Sequence, residues 1–238
     1  MSIDARIARG GVVALWAVFF LLLWTTGTSA RYLGSRTQWV VPFGAVVLLL
    51  AAVLYAYGYV RTRRHGPALT LREAASLFAL LLPLAGVVLV PHAALGSFAA
   101  GRKGGGIHFP AVRQTAPSSP REASFLDIRV AEGDDGFAAQ AGIRPGVRVR
   151  LLGFVTGSRN QPPGTFELAR FYVACCIADA EPVGVPVDAK ALARRSYPRD
   201  TWLDVVGSLE RRGRRFVIDA RRISRVAQPA HPYLSFRT

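Results

Sequence analysis

Arg170-Phe171-Tyr172-Val173-Ala174-Cys175-Cys176-Ile177-Ala178-Asp179-Ala180-Glu181-Pro182-Val183-Gly184 holds both cysteines of the chain in an aromatic and β-branched run that a turn then ends. Such side chains pack well on a pleated, half-buried surface, so the run reads as a strand. The same chemistry returns in Trp202-Leu203-Asp204-Val205-Val206-Gly207 and in Phe216-Val217-Ile218. Five strands are predicted: Val147 to Thr156, Phe166 to Cys176, Val183 to Val187, Trp202 to Glu210 and Phe216 to Ser224. Ala189 to Ser196 fits between the third and fourth as a small helix or loop. Arg211-Arg212-Gly213-Arg214-Arg215 joins the last two, with Gly213 supplying the positive φ that a tight hairpin needs. Short strands with turn signals between them predict a mainly-β domain, a barrel or sandwich. A helical insertion before the fourth of five strands is compatible with an OB-like barrel.

This soluble domain is expected to cover residues 124–238, with Phe125, Leu126, Ile128 and Val130 forming a first extended element and Gly133-Asp134-Asp135-Gly136 a turn. Ala138 to Gly146 resembles the helix-and-turn segment of PDZ domains, which bind peptides by adding a strand to a sheet edge. No Gly-Leu-Gly-Phe-type loop precedes it. Residues 101–123 read as a flexible linker, with Gly104-Gly105-Gly106 and Ala116-Pro117-Ser118-Ser119-Pro120 and no apolar period.

Residues 1–100 have a different character. Stretches of 21, 24 and 28 residues without Asp, Glu, Lys or Arg lie between Arg9 and Arg31, Arg36 and Arg61, and Glu73 and Arg102. About 20 helical residues cross a hydrocarbon core, so three transmembrane helices are predicted, at about 11–28, 39–60 and 74–98. Arg6 and Arg9, the apolar stretch from Gly11 to Trp24 and Thr28-Ser29-Ala30 also fit a cleaved signal peptide. Trp39 and Tyr55, Tyr57 and Tyr59 bracket the second helix, as aromatic belts do. Thr70-Leu71-Arg72-Glu73 is a capping-box pattern that starts the third. Pro83 and Pro91 predict a kink near Leu80 and an end or bend near Val88. His92 is a possible intramembrane ligand or proton carrier, or an interfacial histidine at a helix end. Without acids, lysines or arginines inside the spans, the helices offer little for an ion path. With the N-terminus inside, six arginines face the cytoplasm (6, 9, 61, 63, 64 and 72) against five outer basic residues (Arg31, Arg36, Arg102, Lys103 and Arg113). That bias places the chain as a multi-pass protein of the cell (inner) membrane with an extracytoplasmic C-terminal domain.

The net charge of +15 comes mostly from arginine and can serve anionic headgroups, nucleic acid or an acidic partner. Beside bilayer spans, headgroups are the simpler partner, and no nucleic acid is expected. Hydrolase, kinase and dinucleotide patterns do not occur, so a non-enzymatic role is expected.

The chain resembles the YcgQ-like family of uncharacterised bacterial membrane proteins, described as permease-subunit proteins. Gly153-Phe154-Val155, Phe166-Glu167-Leu168-Ala169-Arg170-Phe171, Cys175-Cys176-Ile177-Ala178-Asp179-Ala180, Trp202-Leu203-Asp204-Val205-Val206-Gly207 and Pro232-Tyr233 carry the resemblance, over about residues 150–236. The turn Pro162-Pro163-Gly164 departs from it. The resemblance implies a membrane-anchored accessory subunit working beside a separate polytopic permease, in which Arg170, Phe171, Trp202, Gly207 and Tyr233 serve structure or partner contact.

Cys175 and Cys176 leave several chemistries open. Successive side chains of a flat strand point to opposite faces, which would bury one thiol and expose the other. A bulge or bend could turn both toward a soft metal ion such as zinc, with Asp179 and His231 completing the site. Vicinal oxidation outside the cell, or simple packing of small apolar side chains, are the other readings. A membrane-tethered metal- or redox-sensing domain is therefore the alternative function. Arg170 and Asp179 could form a buried ion pair that fixes the turn.

Overall fold

The computed structural model describes residues 4–62, 68–89, 95–102, 115–157, 164–192 and 197–235, in two compact units. The first comprises residues 1–32 and 37–93, and the second residues 33–36 and 94–238.

In the helical unit, α1 (Ala5–Thr25) starts at Asp4, whose carboxylate accepts from the Arg6 amide at 2.8 Å. Negative charge is favoured there by the helix dipole. α2 (Val40–Thr62) packs against α1, with Gly44 letting the Phe20 ring approach so closely that a Cβ would lie 2.8 Å from it. α3 (Leu71–Leu89) opens with the expected capping box, in which Glu73 N–H donates to Thr70 Oγ1 and Thr70 N–H donates back to the Glu73 carboxylate. Arg9 pairs with Glu73 and Asp4 bridges to Ala68, so α1 and α3 begin at the same end of the unit. Pro83 lies inside α3, and the helix is described as far as Leu89, while Pro91 lies outside the described residues.

Two of these helices, over Ala5–Thr25 and Val40–Arg61, are long and apolar enough to cross a membrane. Only 6% and 11% of their apolar windows is buried, which separates them from core helices of a soluble protein. Leu22, Trp24, Phe43, Leu50, Leu54 and Tyr57 are exposed. α3 carries Arg72 and Glu73 in its first turn, and residues 90–94 of the expected third span lie outside the described residues. Ser97 and Phe98, expected to end the third span, and Gly101 and Arg102, expected to open the linker, instead belong to one short helix, α4 (Ser97–Arg102), within the second unit.

The second unit is a closed five-stranded barrel: β1 (Arg148–Thr156), β2 (Thr165–Tyr172), β3 (Glu181–Asp188), β4 (Trp202–Arg212) and β5 (Arg215–Arg225). The ring runs β1-β2-β3-β5-β4, antiparallel except where β3 and β5 pair in parallel at Val187–Ile218 and Asp188–Asp219. Alternate residues face inward, and Leu168, Val183, Val185, Val187, Leu203, Val205 and Leu209 are fully buried. Gly213 turns the β4–β5 hairpin at φ 63°. At the bulge between Val206 and Gly207 a Cβ on Gly207 would lie 2.2 Å from the Asp219 carbonyl oxygen, so only glycine lets the strands meet.

Where an extended element was expected, Phe125–Ala131 is a helix, α5. Ser124 and Asp127 form a capping box whose oxygens take the first amides, and Phe125, Leu126 and Ile128 reach the barrel core on one helical face. The Gly133-to-Gly136 turn runs directly into α6 (Asp135–Ala141), capped by Asp134 and ended by Gly142 at φ 66°. α5 and α6 supply the helical part of the core from before β1, whereas the loop between β3 and β4 contributes only a short 3-10 turn, Lys190–Leu192, among the described residues. Because the ring is closed, the PDZ-like segment borders no open sheet edge of the kind that strand addition requires. A second cluster gathers Phe154, Phe171, Val173 and Ala100 of α4, and the Ser97 hydroxyl donates to Asp200 at 2.8 Å.

Candidate functional site

β2 was expected to run through Cys176, but it stops at Tyr172. The cause is Asp179. Its Oδ1 accepts from the Ala174 amide at 2.9 Å, and its Oδ2 accepts from Cys175 at 2.7 Å and Cys176 at 3.2 Å. Donors that would have joined a ladder are turned onto one carboxylate, and the chain bends into a short 3-10 turn, Ile177–Asp179. In return the Asp179 amide donates to the Cys176 sulfur. The bend also decides the facing of the thiols: instead of lying on opposite faces, Cys175 and Cys176 bring their sulfurs together with an Asp179 oxygen, all within 4.8 Å of one another.

Neither thiol is in a disulfide; Cys175 is exposed and Cys176 half-buried. The Cys175 pKa is raised, chiefly by loss of hydration and then by the negative charge that Cys176 and Asp179 present.

Against this bend lies the segment Leu33–Arg36, which sequence reasoning missed. Leu33 pairs antiparallel with Cys176, and the Gly34 amide donates to the Cys175 carbonyl at 3.1 Å. A Cβ on Gly34 would sit 2.5 Å from the Val173 oxygen and 2.9 Å from that of Ala174. Gly34 is thus the residue that permits contact. No local signal reveals a pairing between residues so far apart in the chain.

The expected Arg170–Asp179 ion pair does not form. Arg170 Nε donates to the Pro232 carbonyl at 2.9 Å and Nη2 donates to that of His231, while the guanidinium lies 5.9 Å from the Trp202 ring centre. Burial lowers its pKa. The planar fork of donors suits two adjacent carbonyls, and it holds the C-terminal segment so that the Leu234 amide donates to the Phe171 oxygen at 2.7 Å. Phe171 is buried and stacks on Phe154, with ring centres 5.6 Å apart. Trp202 and Tyr233 are half-buried against that cluster, and Gly207 sits at the bulge. His231 is not among the clustered donor atoms, its carbonyl serving Arg170. His92 lies outside the described residues.

The C-terminal unit is therefore a five-stranded barrel with a thiol-bearing bend. Residues 145–235 match the family model described as the DUF1980 C-terminal domain, a family without an assigned function. No curated protein matches the chain.

Proposed function

We propose that the chain is a non-enzymatic, membrane-anchored accessory subunit that works beside a polytopic permease, held in the cell membrane by three helices with its barrel on the extracytoplasmic side. The observation that carries this reading is the membership of Leu33–Arg36 in the barrel's own unit. These residues belong to the loop between two apolar helices, so the barrel shares that loop's side of the membrane. Once α2 has crossed, the chain has to cross again before residue 94. α3 fits that task, since it begins at the same end as α1 and its 19 residues extend about 28 Å, close to the hydrocarbon thickness. Spans without Asp, Glu, Lys or Arg in their apolar stretches leave solute passage to that neighbour. The likeness to YcgQ-like permease subunits points the same way.

The test is purification of the full-length chain from its own membranes in mild detergent. A polytopic protein should accompany it in stoichiometric amount, also when Cys175→Ser and Cys176→Ser are combined. A chain that runs alone, or that by itself carries solute across liposomes, would overturn the proposal. Loss of the companion only in the double variant would favour a thiol-based sensor instead.

A further inference from the structure

The bend from Val173 to Ala180 has a donor geometry that the accessory-subunit reading does not use. Two sulfurs and a carboxylate oxygen lie within 4.8 Å of one another. In a tetrahedral zinc site, with Zn–S near 2.3 Å, ligand sulfurs are roughly 3.7 Å apart, so a modest rotation of the exposed Cys175 side chain closes the set. Asp179 is already oriented for it. Its Oδ2 takes two backbone amides and its Oδ1 only one, which leaves an in-plane lone pair on Oδ1. Fixing a ligating carboxylate by hydrogen bonds from behind is what supporting residues do around metal ions. The Cys176 sulfur accepts from the Asp179 amide, which fixes where that sulfur lies relative to the carboxylate. Leu33 and Gly34 pair with the backbone of the bend, so its backbone is held before any ion arrives.

The geometry points to an open, three-donor site for a thiophilic divalent cation of the zinc type, made by Cys175 Sγ, Cys176 Sγ and Asp179 Oδ1. Two sulfurs with one carboxylate oxygen suit a borderline ion better than a monovalent soft one, which prefers sulfur alone. On binding, each thiol releases its proton to solvent, two sulfur–metal bonds and one oxygen–metal bond form, and no electron is transferred. The fourth position faces the exposed side of Cys175, where water or a donor from another molecule completes the tetrahedron. Such an open position suits a site that takes up an ion and passes it on. The inference stands apart from the partner proposal, because a metal binds or fails to bind whether or not a permease is present.

The experiment uses the full-length chain in detergent, reduced and stripped of metal, titrated with Co2+ and then with Zn2+. One equivalent of Co2+ should produce a sulfur-to-cobalt charge-transfer band with the intense visible bands of tetrahedral cobalt, and one equivalent of Zn2+ should erase both. Cys175→Ser changes an exposed side chain and should leave thermal melting unaltered. It should weaken Zn2+ binding, measured by competition with a coloured chelator, by more than about 100-fold, beyond the range for loss of a supporting residue. Cys176→Ser should also remove the band. Failure of the wild-type chain to give the band at one equivalent would overturn the inference, as would equal Zn2+ affinity in the Cys175→Ser chain.

Discussion

Gly34→Ala asks whether the loop between the first two helices is truly seated on the thiol bend. The new methyl group would lie 2.5 Å from the Val173 oxygen and 2.9 Å from the Ala174 oxygen, and both are backbone atoms that no rotamer change can move. Relief requires the loop to retreat by half an ångström or more, which breaks the Gly34–Cys175 hydrogen bond. Loss of that bond costs about 1 kcal/mol. The residual overpacking adds about 1–2 kcal/mol. The penalty falls on the loop, since the barrel core contains no atom of Gly34. A local destabilisation of about 2–3 kcal/mol raises the population of the opened loop roughly 30- to 140-fold. Cys176 reports it, being half-buried and paired with Leu33. In a Cys175→Ser background, maleimide labelling of Cys176 in detergent should accelerate by that factor under conditions where opening and closing outpace labelling. A Gly34→Ala chain that labels within threefold of its glycine parent would refute the seating, and with it the argument for three crossings.

Arg170→Ala removes both donors to the Pro232 and His231 carbonyls and should cost about 2–4 kcal/mol, read as lost amide-exchange protection at Leu234. Arg170→Lys should restore only part of it, and unchanged protection in the alanine variant would rule out the clamp. Asp188 offers a pH test. Burial disfavours its charged form, but the Lys190 amide and the Arg212 guanidinium, at 3.2 and 2.9 Å, together with the Lys190 charge, hold its pKa below the ordinary carboxylate value. A depressed pKa stabilises the fold fully above the unfolded value near 4 and loses its effect as pH falls through the lower folded value. Asp188→Asn should therefore lower the melting temperature at neutral pH, with a deficit that shrinks below about pH 4. An equal deficit at both ends would show that the charge is not responsible.

How much was legible in the sequence follows from the range of each interaction. Strands announce themselves by side chains two apart, and the predicted Trp202–Glu210 and Phe216–Ser224 fall within the observed Trp202–Arg212 and Arg215–Arg225. The first two charge-free stretches likewise mark the two helices long and apolar enough to cross a bilayer, because that capacity is a property of one segment and its length. α5 shows the limit: Phe125, Leu126, Ile128 and Val130 satisfy a strand pattern as well as a helical face. The deciding signal, Ser124 three residues before Asp127, was present and concerns a cap rather than a period.

The chain's own order of residues determined that there are apolar helices followed by five strands, and that two adjacent thiols stand near one carboxylate. Only the tertiary structure decided that the strands close into a ring, that Arg170 holds the C-terminal segment instead of Asp179, and that Leu33 and Gly34 lie on the cysteine bend. The physical reason is that capping, periodicity and hydropathy act between neighbours in sequence. A hydrogen bond from Gly34 to Cys175 depends on where the entire intervening chain has already gone.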